Sequence, residues 1–200
     1  MLKMRIIFAL AFLMGIGAVY GQDSRSVLVD YRLLATNKTS TMMKELNEAA
    51  AGGYRLEGAM GGESAYGGAE VVAIMSRNKN IEPRARYEYK LLATNKTSTM
   101  QKELQEAGDL GFEYRDQTVF NTAYGGANEV VVILERDKES PIRKWEYKLL
   151  ATSKTSTMQK ELQESGSGGF QFVGVTVGKT AYGGKEVVSI LRRLVQQGAN

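Results

Sequence analysis

Segments with a two-residue hydrophobic period alternate along the chain with segments of helical period. Residues 87–93 alternate apolar side chains with the charged Glu88 and Lys90, a pattern that predicts a β-strand with one buried face. Met100 and Leu104 then stand four residues apart and share one side of a helix. The order of these patterns predicts a strand followed by an amphipathic helix.

The ends of this helix carry signals of their own. Ser98 is followed three residues later by Gln101, which predicts a capping box at the helix start. Gly111 stands where a residue in the left-handed conformation would end the helix. Two further strands are predicted beyond this glycine, over residues 112–119 and 129–136.

The whole pattern occurs three times with a period of 58 residues, as the positions of Tyr31, Tyr89 and Tyr147 illustrate. A fixed period of this length is the signature of a repeated structural unit. Each copy predicts one βαββ unit, and the units span residues 27–78, 84–137 and 142–195. The stretches between them contain the only two prolines of the chain and are predicted linkers.

The third strand of each unit predicts how the units pack. Residues 130–134 are apolar at every position, which is typical of a central strand that is covered on both faces. A single helix covers only one face, and a lone unit of about 50 residues without disulfides would be marginally stable. We therefore predict an α+β fold: three tandem βαββ units, each a three-stranded antiparallel sheet with one helix on one face, with the sheets packed together. The favoured arrangement places the helix-free sheet faces against one another and the helices outside; independent units on a string are the alternative.

The first residues predict export. Lys3 and Arg5 precede an apolar stretch that ends in small residues near Gly21, as in a secretory signal peptide covering residues 1–21. The apolar stretch is shorter than the ~20 residues that a membrane-spanning helix needs, and no later segment is apolar enough to span. We expect a periplasmic or extracellular protein.

Charge and composition narrow the function further. Removal of Lys3 and Arg5 with the leader lowers the formal net charge from +4 to +2, and no basic cluster is visible, so nucleic acid is not an expected partner. The chain contains no Cys and no His. Their absence removes the usual ligands of zinc, haem and iron–sulfur clusters and the histidine-based triads, so we expect neither a metal, nor a cofactor, nor an enzyme.

The run Trp145-Glu146-Tyr147-Lys148, then a helix, then Gly169-Phe170, then an apolar strand ending in Arg192-Arg193, resembles a family of small bacterial domains of unknown function. The resemblance covers each copy, although the first departs from it with Val29-Asp30-Tyr31-Arg32. The strand order is also similar to that of the dodecins, flavin-binding βαββ proteins that assemble through their sheets. No flavin-stacking tryptophan stands at a matching place, so this second resemblance implies an architecture and no cofactor.

Copies two and three differ unevenly. Residues 87–106 and 145–164 agree at eighteen of twenty positions, whereas residues 107–121 and 165–179 agree at five of fifteen. The helix start and an Ala-Tyr-Gly-Gly loop are kept, and the predicted topology places both at one end of the unit, here called the rim. The candidate ligand-binding residues of the rim are Lys38, Thr39, Ser40 and Tyr66 in the first unit, Lys96, Thr97, Ser98 and Tyr124 in the second, and Lys154, Thr155, Ser156 and Tyr182 in the third.

Two interpretations of the rim stay open. Backbone N–H groups at a helix start, hydroxyls and a lysine suit a small anion, and a tyrosine suits a sugar ring. Alternatively, the serine caps the helix and the glycines form a turn. The leading hypothesis for the whole chain is a non-enzymatic exported binding or assembly scaffold whose partner is another copy or another envelope protein. The second hypothesis is a receptor for a carbohydrate or small anionic ligand at the rim.

Overall fold

The computed structural model describes residues 27–61, 70–94, 96–120, 129–179 and 185–195. The predicted leader lies outside the described residues. Three helices and nine strands follow one another in these ranges as three successive β-α-β-β groups. Their bounds are β1 Val29–Thr36, α1 Thr39–Ala51, β2 Arg55–Gly61 and β3 Val71–Asn78; β4 Tyr87–Thr94, α2 Thr97–Asp109, β5 Glu113–Phe120 and β6 Glu129–Asp137; β7 Trp145–Thr152, α3 Thr155–Ser167, β8 Gln171–Lys179 and β9 Lys185–Leu194. The predicted α+β class with three βαββ units is confirmed.

In each unit the third strand is the central strand of an antiparallel sheet. The strand orders are β1-β3-β2, β4-β6-β5 and β7-β9-β8. Val131, Val132 and Ile133 are fully buried, as expected for a strand that is covered on both faces. The second strand of every unit carries a one-residue register shift, for example between Leu56 and Gly58.

The helix ends match the prediction only in part. Gly53, Gly111 and Gly169 have φ values of 84°, 84° and 81°, so the glycine stop is confirmed in all three units. The capping box is wrong, because the N-cap residue is Lys96 rather than Ser98 and no side chain caps the helix start. The same holds for Lys154 in the third unit.

The units stack front to back. We call the face of each sheet that carries its own helix the front face, and the opposite face the back face. One core cluster joins Met42 and Leu46 of α1 with front-face residues of the first sheet and with Tyr89 and Ile133 of the second sheet's back face. A second cluster joins Leu104 and the front face of the second sheet to the back face of the third. Layers of sheet and helix therefore alternate along the stack.

This packing refines the predicted arrangement. The sheets share cores across units, so neighbouring units cover the apolar sheet faces. The alternative prediction of independent units is wrong. The helix-free faces do not meet one another, however. Each back face in the second and third units packs on the helix-bearing side of the preceding unit, so α1 and α2 lie inside the stack. A hydrophobic pattern requires that a face be covered, but it leaves open which element covers it.

Candidate functional site

The stack has two internal contacts between units, called junction 1 (units 1 and 2) and junction 2 (units 2 and 3). At junction 2, two glutamines of α2 bond the free edge of β7. The Gln101 side chain donates to the Tyr147 carbonyl at 2.9 Å and accepts from the Leu149 N–H at 2.8 Å. Gln105 accepts from the Tyr147 N–H at 3.0 Å and donates to the Trp145 carbonyl at 3.3 Å. The helix thereby occupies the place of a fourth strand and closes an edge that would otherwise be open to pairing.

Junction 1 uses the same device with a different amide. Asn47 of α1 donates to the Tyr89 carbonyl and accepts from the Tyr89 N–H, both at 2.9 Å. Asn47 stands 58 residues before Gln105, so the two junctions are built at equivalent positions. Met43 replaces the other glutamine in the first unit, and junction 1 has one amide bridge where junction 2 has two.

A tyrosine hydroxyl forms the second recurring contact. The Leu56 N–H, beside the register shift of β2, donates to the Tyr89 hydroxyl at 2.8 Å. In junction 2 the Tyr114 N–H donates to the Tyr147 hydroxyl at 2.6 Å. Both tyrosines are 3% exposed, and burial raises the pKa of Tyr147 to about 12. The tyrosine hydroxyl thus satisfies a backbone N–H of an outer strand next to the register shift.

Each junction contains an ion pair, and the positions of the acidic and the basic residue are exchanged between the two junctions. At junction 1, Arg55 at the start of β2 pairs with Glu135 on the back face of the second unit, with an Nη2–Oε1 distance of 2.7 Å. At junction 2 the charges are exchanged: Glu113 at the start of β5 pairs with Arg192 on the back face of the third unit at 3.0 Å. A unit with an arginine at the start of its second strand would meet Arg192 if the units stacked in another order, and like charges across an interface are unfavourable. The charges therefore favour the order found in the chain.

In the first unit, no element of the described residues covers the corresponding back face. Tyr31 is 68% exposed, whereas its equivalents Tyr89 and Tyr147 are 3% exposed. Ile74 is 44% exposed, whereas Ile133 on the corresponding back face is fully buried. Covering a large apolar side chain contributes ~1.5–3 kcal/mol, so covering this face would contribute a substantial free energy of binding. We call it the tail face; its exposed apolar residues are Val29, Tyr31, Leu33, Met60 and Ile74.

In the third unit, the opposite side is exposed among the described residues. Val187 is 41% exposed, whereas Val130, at the matching register position of the second unit, is 6% exposed. A methyl group at Gly108 of α2 would overlap the Trp145 carbonyl oxygen, but nothing lies within 4 Å of its equivalent Gly166. We call this side of the third unit the head face; its exposed apolar residues are Phe172, Val175, Val177 and Val187.

A groove lies beside Gly169 in the third unit. It has a volume of about 780 Å³. The corresponding grooves beside Gly53 and Gly111 measure about 350 and 190 Å³ and are lined in part by linker residues such as Pro83 and Pro141.

The rim residues are placed as follows. The lysines Lys38, Lys96 and Lys154 are exposed N-cap residues with extended backbones. The threonines Thr39, Thr97 and Thr155 begin the helices, and the serines Ser40, Ser98 and Ser156 are exposed in the first turn. Tyr66, Tyr124 and Tyr182 lie outside the described residues, so the loop half of the predicted site is not placed.

Part of the constant rim has a structural role. The Lys96 N–H donates to the Thr94 hydroxyl at 3.3 Å, and the Thr97 hydroxyl donates to Glu186 of the third unit at 2.6 Å. The exposed Lys102 pairs with Glu106 along α2 at 3.8 Å, so these two helix residues contact each other rather than a neighbouring unit.

The residues that build the junctions were not recognised from the sequence. The sequence pattern predicts Gln101 as part of a capping box, because a glutamine three residues after a serine fits that motif. The available signal was the recurrence of an amide side chain at positions 47, 105 and 163, 58 residues apart on the helix face that bears Gln101. A recurring amide at a helix surface is compatible with many roles, and only the neighbouring strand edge reveals this one.

Within the described ranges, no group of three or more acidic side chains is arranged to hold a metal ion. Among the helices that the structure describes, none combines the length and the apolar character that crossing a membrane requires. Comparison with protein-family models, with curated proteins and with solved structures finds no match for this chain.

Proposed function

We propose that this protein is a non-enzymatic exported scaffold that binds another protein through the two ends of its stack of units. The observation that carries the proposal is the exposure of the tail face. Tyr31 and Ile74 are 68% and 44% exposed on a surface type that the chain buries at both internal junctions. A contiguous apolar patch of this kind marks a protein interaction site.

The use of the charged groups supports a scaffold. Glu135 is 1% exposed and is the most buried carboxylate of the described residues. Arg55 and the Tyr89 hydroxyl bind it directly, which accounts for its charge within the junction. At junction 2, Glu113 is likewise paired with Arg192, and Asp116 of junction 1 accepts a hydrogen bond from the Ala59 N–H. The chain also lacks Cys and His, the two side chains that most often act as nucleophile and base near neutral pH.

Site-specific photo-crosslinking in cells tests the scaffold. A benzophenone amino acid would replace Leu33 on the tail face, Phe172 on the head face, or Lys102 on the outer side of α2 as the matched control. Leu33 and Phe172 are 65% and 57% exposed, and the Lys102 side chain is 78% exposed, so none of the replacements disturbs a core. We expect discrete protein adducts from the two end positions and none from position 102. Equal adducts at all three positions, or none at the ends, would contradict the proposal.

The rim supplies a second candidate function, a receptor for a glycan or small anion. The observation in its favour is that Lys96 and Ser98 stay exposed at a helix start where no side chain occupies the free N–H groups. A thermal-shift screen with acidic sugars and inorganic anions tests it. Binding that disappears in Lys96→Ala would support the receptor, and the absence of any stabilising compound would reject it.

A further inference from the structure

We propose that the partner at both ends is a second copy of this chain, with the head face of one molecule docked on the tail face of the next. This inference rests on the proposed scaffold function and specifies its partner. The argument is continuity: the two internal junctions are already two examples of this contact, and the ends carry its two unused halves.

The hydrogen-bonding groups of the contact are present at both ends. Gln163 of α3 stands 58 residues after Gln105, and Gln159 stands 58 residues after Gln101. Both side chains are exposed and make no hydrogen bond within the part of the chain that the structure describes. The tail face offers the matching edge, because β1 is an outer strand whose free side corresponds to that of β7. Gln163 and Gln159 would bond the backbone around Tyr31 as their equivalents bond the backbone around Tyr147.

The tyrosine contact also has both halves. Phe172 occupies the position of Leu56 and Tyr114, beside the same register shift in its strand. Its N–H is the equivalent of the donors that bond Tyr89 and Tyr147 inside the stack. The exposed Tyr31 hydroxyl is the acceptor that would reach it from the next molecule.

The charges at the two ends are compatible with each other. The position of Arg55 and Glu113 is occupied by Gln171 in the third unit, and Ser76 faces Tyr31 in the register where Glu135 faces Tyr89. The neutral Gln171 would therefore meet Ser76, which donates to the exposed Glu57 carboxylate at 2.5 Å. The end contact places no two charges of the same sign against each other. If the third unit were instead docked on the back face that carries Glu135, Gln171 would leave this buried carboxylate without its arginine.

A contact between two different faces is heterologous, so it joins molecules head to tail and leaves a free face at each end until a ring closes. This property separates the proposal from a symmetric dimer. A substitution that blocks the tail face leaves the head face able to bind, and a substitution that blocks the head face leaves the tail face able to bind. The two blocked molecules should bind each other although neither binds itself.

Sedimentation velocity of the exported, processed protein over a wide concentration range tests the inference. Tyr31→Glu blocks the tail face, Gln163→Arg blocks the head face, and Lys160→Ala on the exposed side of the same helix is the matched control. We expect the wild type and the control to show a concentration-dependent rise in sedimentation coefficient. Each blocked variant should self-associate on the order of tenfold or more weakly, since it places a charge in an apolar contact. Circular dichroism and thermal melting of the variants confirm that they stay folded.

The equimolar mixture of the two blocked variants gives the decisive result. A discrete dimer in the mixture, with monomers in each separate sample, supports the head-to-tail contact. A wild type that is monomeric at all concentrations overturns the inference, as does a Gln163→Arg variant that still self-associates like the wild type. If end-specific crosslinks to a different protein persist while the wild type stays monomeric, the scaffold function survives and only the identity of the partner is wrong.

Discussion

Removal of Arg55 tests how junction 1 is held together. The Glu135 side chain is 2% exposed, and Arg55 bonds it with two nitrogens at 2.7 and 2.9 Å. Breaking a buried ion pair from one side costs ~3–5 kcal/mol, because a charge stays buried without its partner. Two features reduce this figure: Arg115 lies 3.9 Å from the carboxylate, and the Tyr89 hydroxyl donates to it at 2.8 Å. We expect Arg55→Met to lower the free energy of unfolding by roughly 2–3 kcal/mol.

Junction 2 provides the matched control. Its ion pair joins Glu113 and Arg192, whose side chains are 35% and 18% exposed. Glu113→Gln leaves a more hydrated arginine, which also donates to the Tyr114 carbonyl at 3.3 Å. Half-exposed pairs contribute ~0–1 kcal/mol, so this variant should lose no more than about 1 kcal/mol.

Urea unfolding followed by circular dichroism measures both variants. The double variant Arg55→Met, Glu135→Leu should recover most of the lost stability, since removing both charges also removes their desolvation. The reasoning would be refuted if Arg55→Met cost less than Glu113→Gln, or if the double variant were less stable than Arg55→Met alone.

Three further predictions concern single side chains. The pKa of Tyr147 in the folded state, about 12, lies above the unfolded value of ~10, so the folded state keeps the tyrosine proton between these pH values. The free energy of unfolding should therefore fall as the pH rises from ~10 to 12. Tyr147→Phe should reduce this decline, which urea titrations at several pH values measure. Gly108→Ala should destabilise the protein by ~1–3 kcal/mol, because the new methyl group would overlap Trp145. Gly166→Ala has open space around it and should stabilise α3 by up to ~1 kcal/mol in thermal melts. Similar effects of both changes would contradict the packing of junction 2. Ser98→Ala should change the free energy of unfolding by less than ~0.5 kcal/mol in thermal melts. A decrease in this free energy near ~1 kcal/mol would show that the serine caps the helix after all.

The candidate site was predictable only where local signals define it. The glycine at position 111 could be assigned to a helix stop because a positive φ there is a property of a few consecutive residues. The position of the third strand at the sheet centre followed from its double-sided apolarity. The capping box failed because a Ser-x-x-Gln spacing fits two outcomes, and at Gln101 the strand edge of the next unit provides more hydrogen bonds than the helix start.

The sequence by itself determined the period of the repeat, the order of strand and helix in each unit, and the existence of a sheet face that a unit cannot cover alone. These properties depend on neighbours along the chain and on the total amount of apolar surface. Only the tertiary structure decided that each back face lies on the helix side of the preceding unit, that Arg55 meets Glu135, and that the equivalents of these surfaces are left open at the two ends. The physical reason is that burial is non-directional: apolar residues show that a face must be covered, whereas hydrogen bonds and ion pairs between distant positions select the element that covers it.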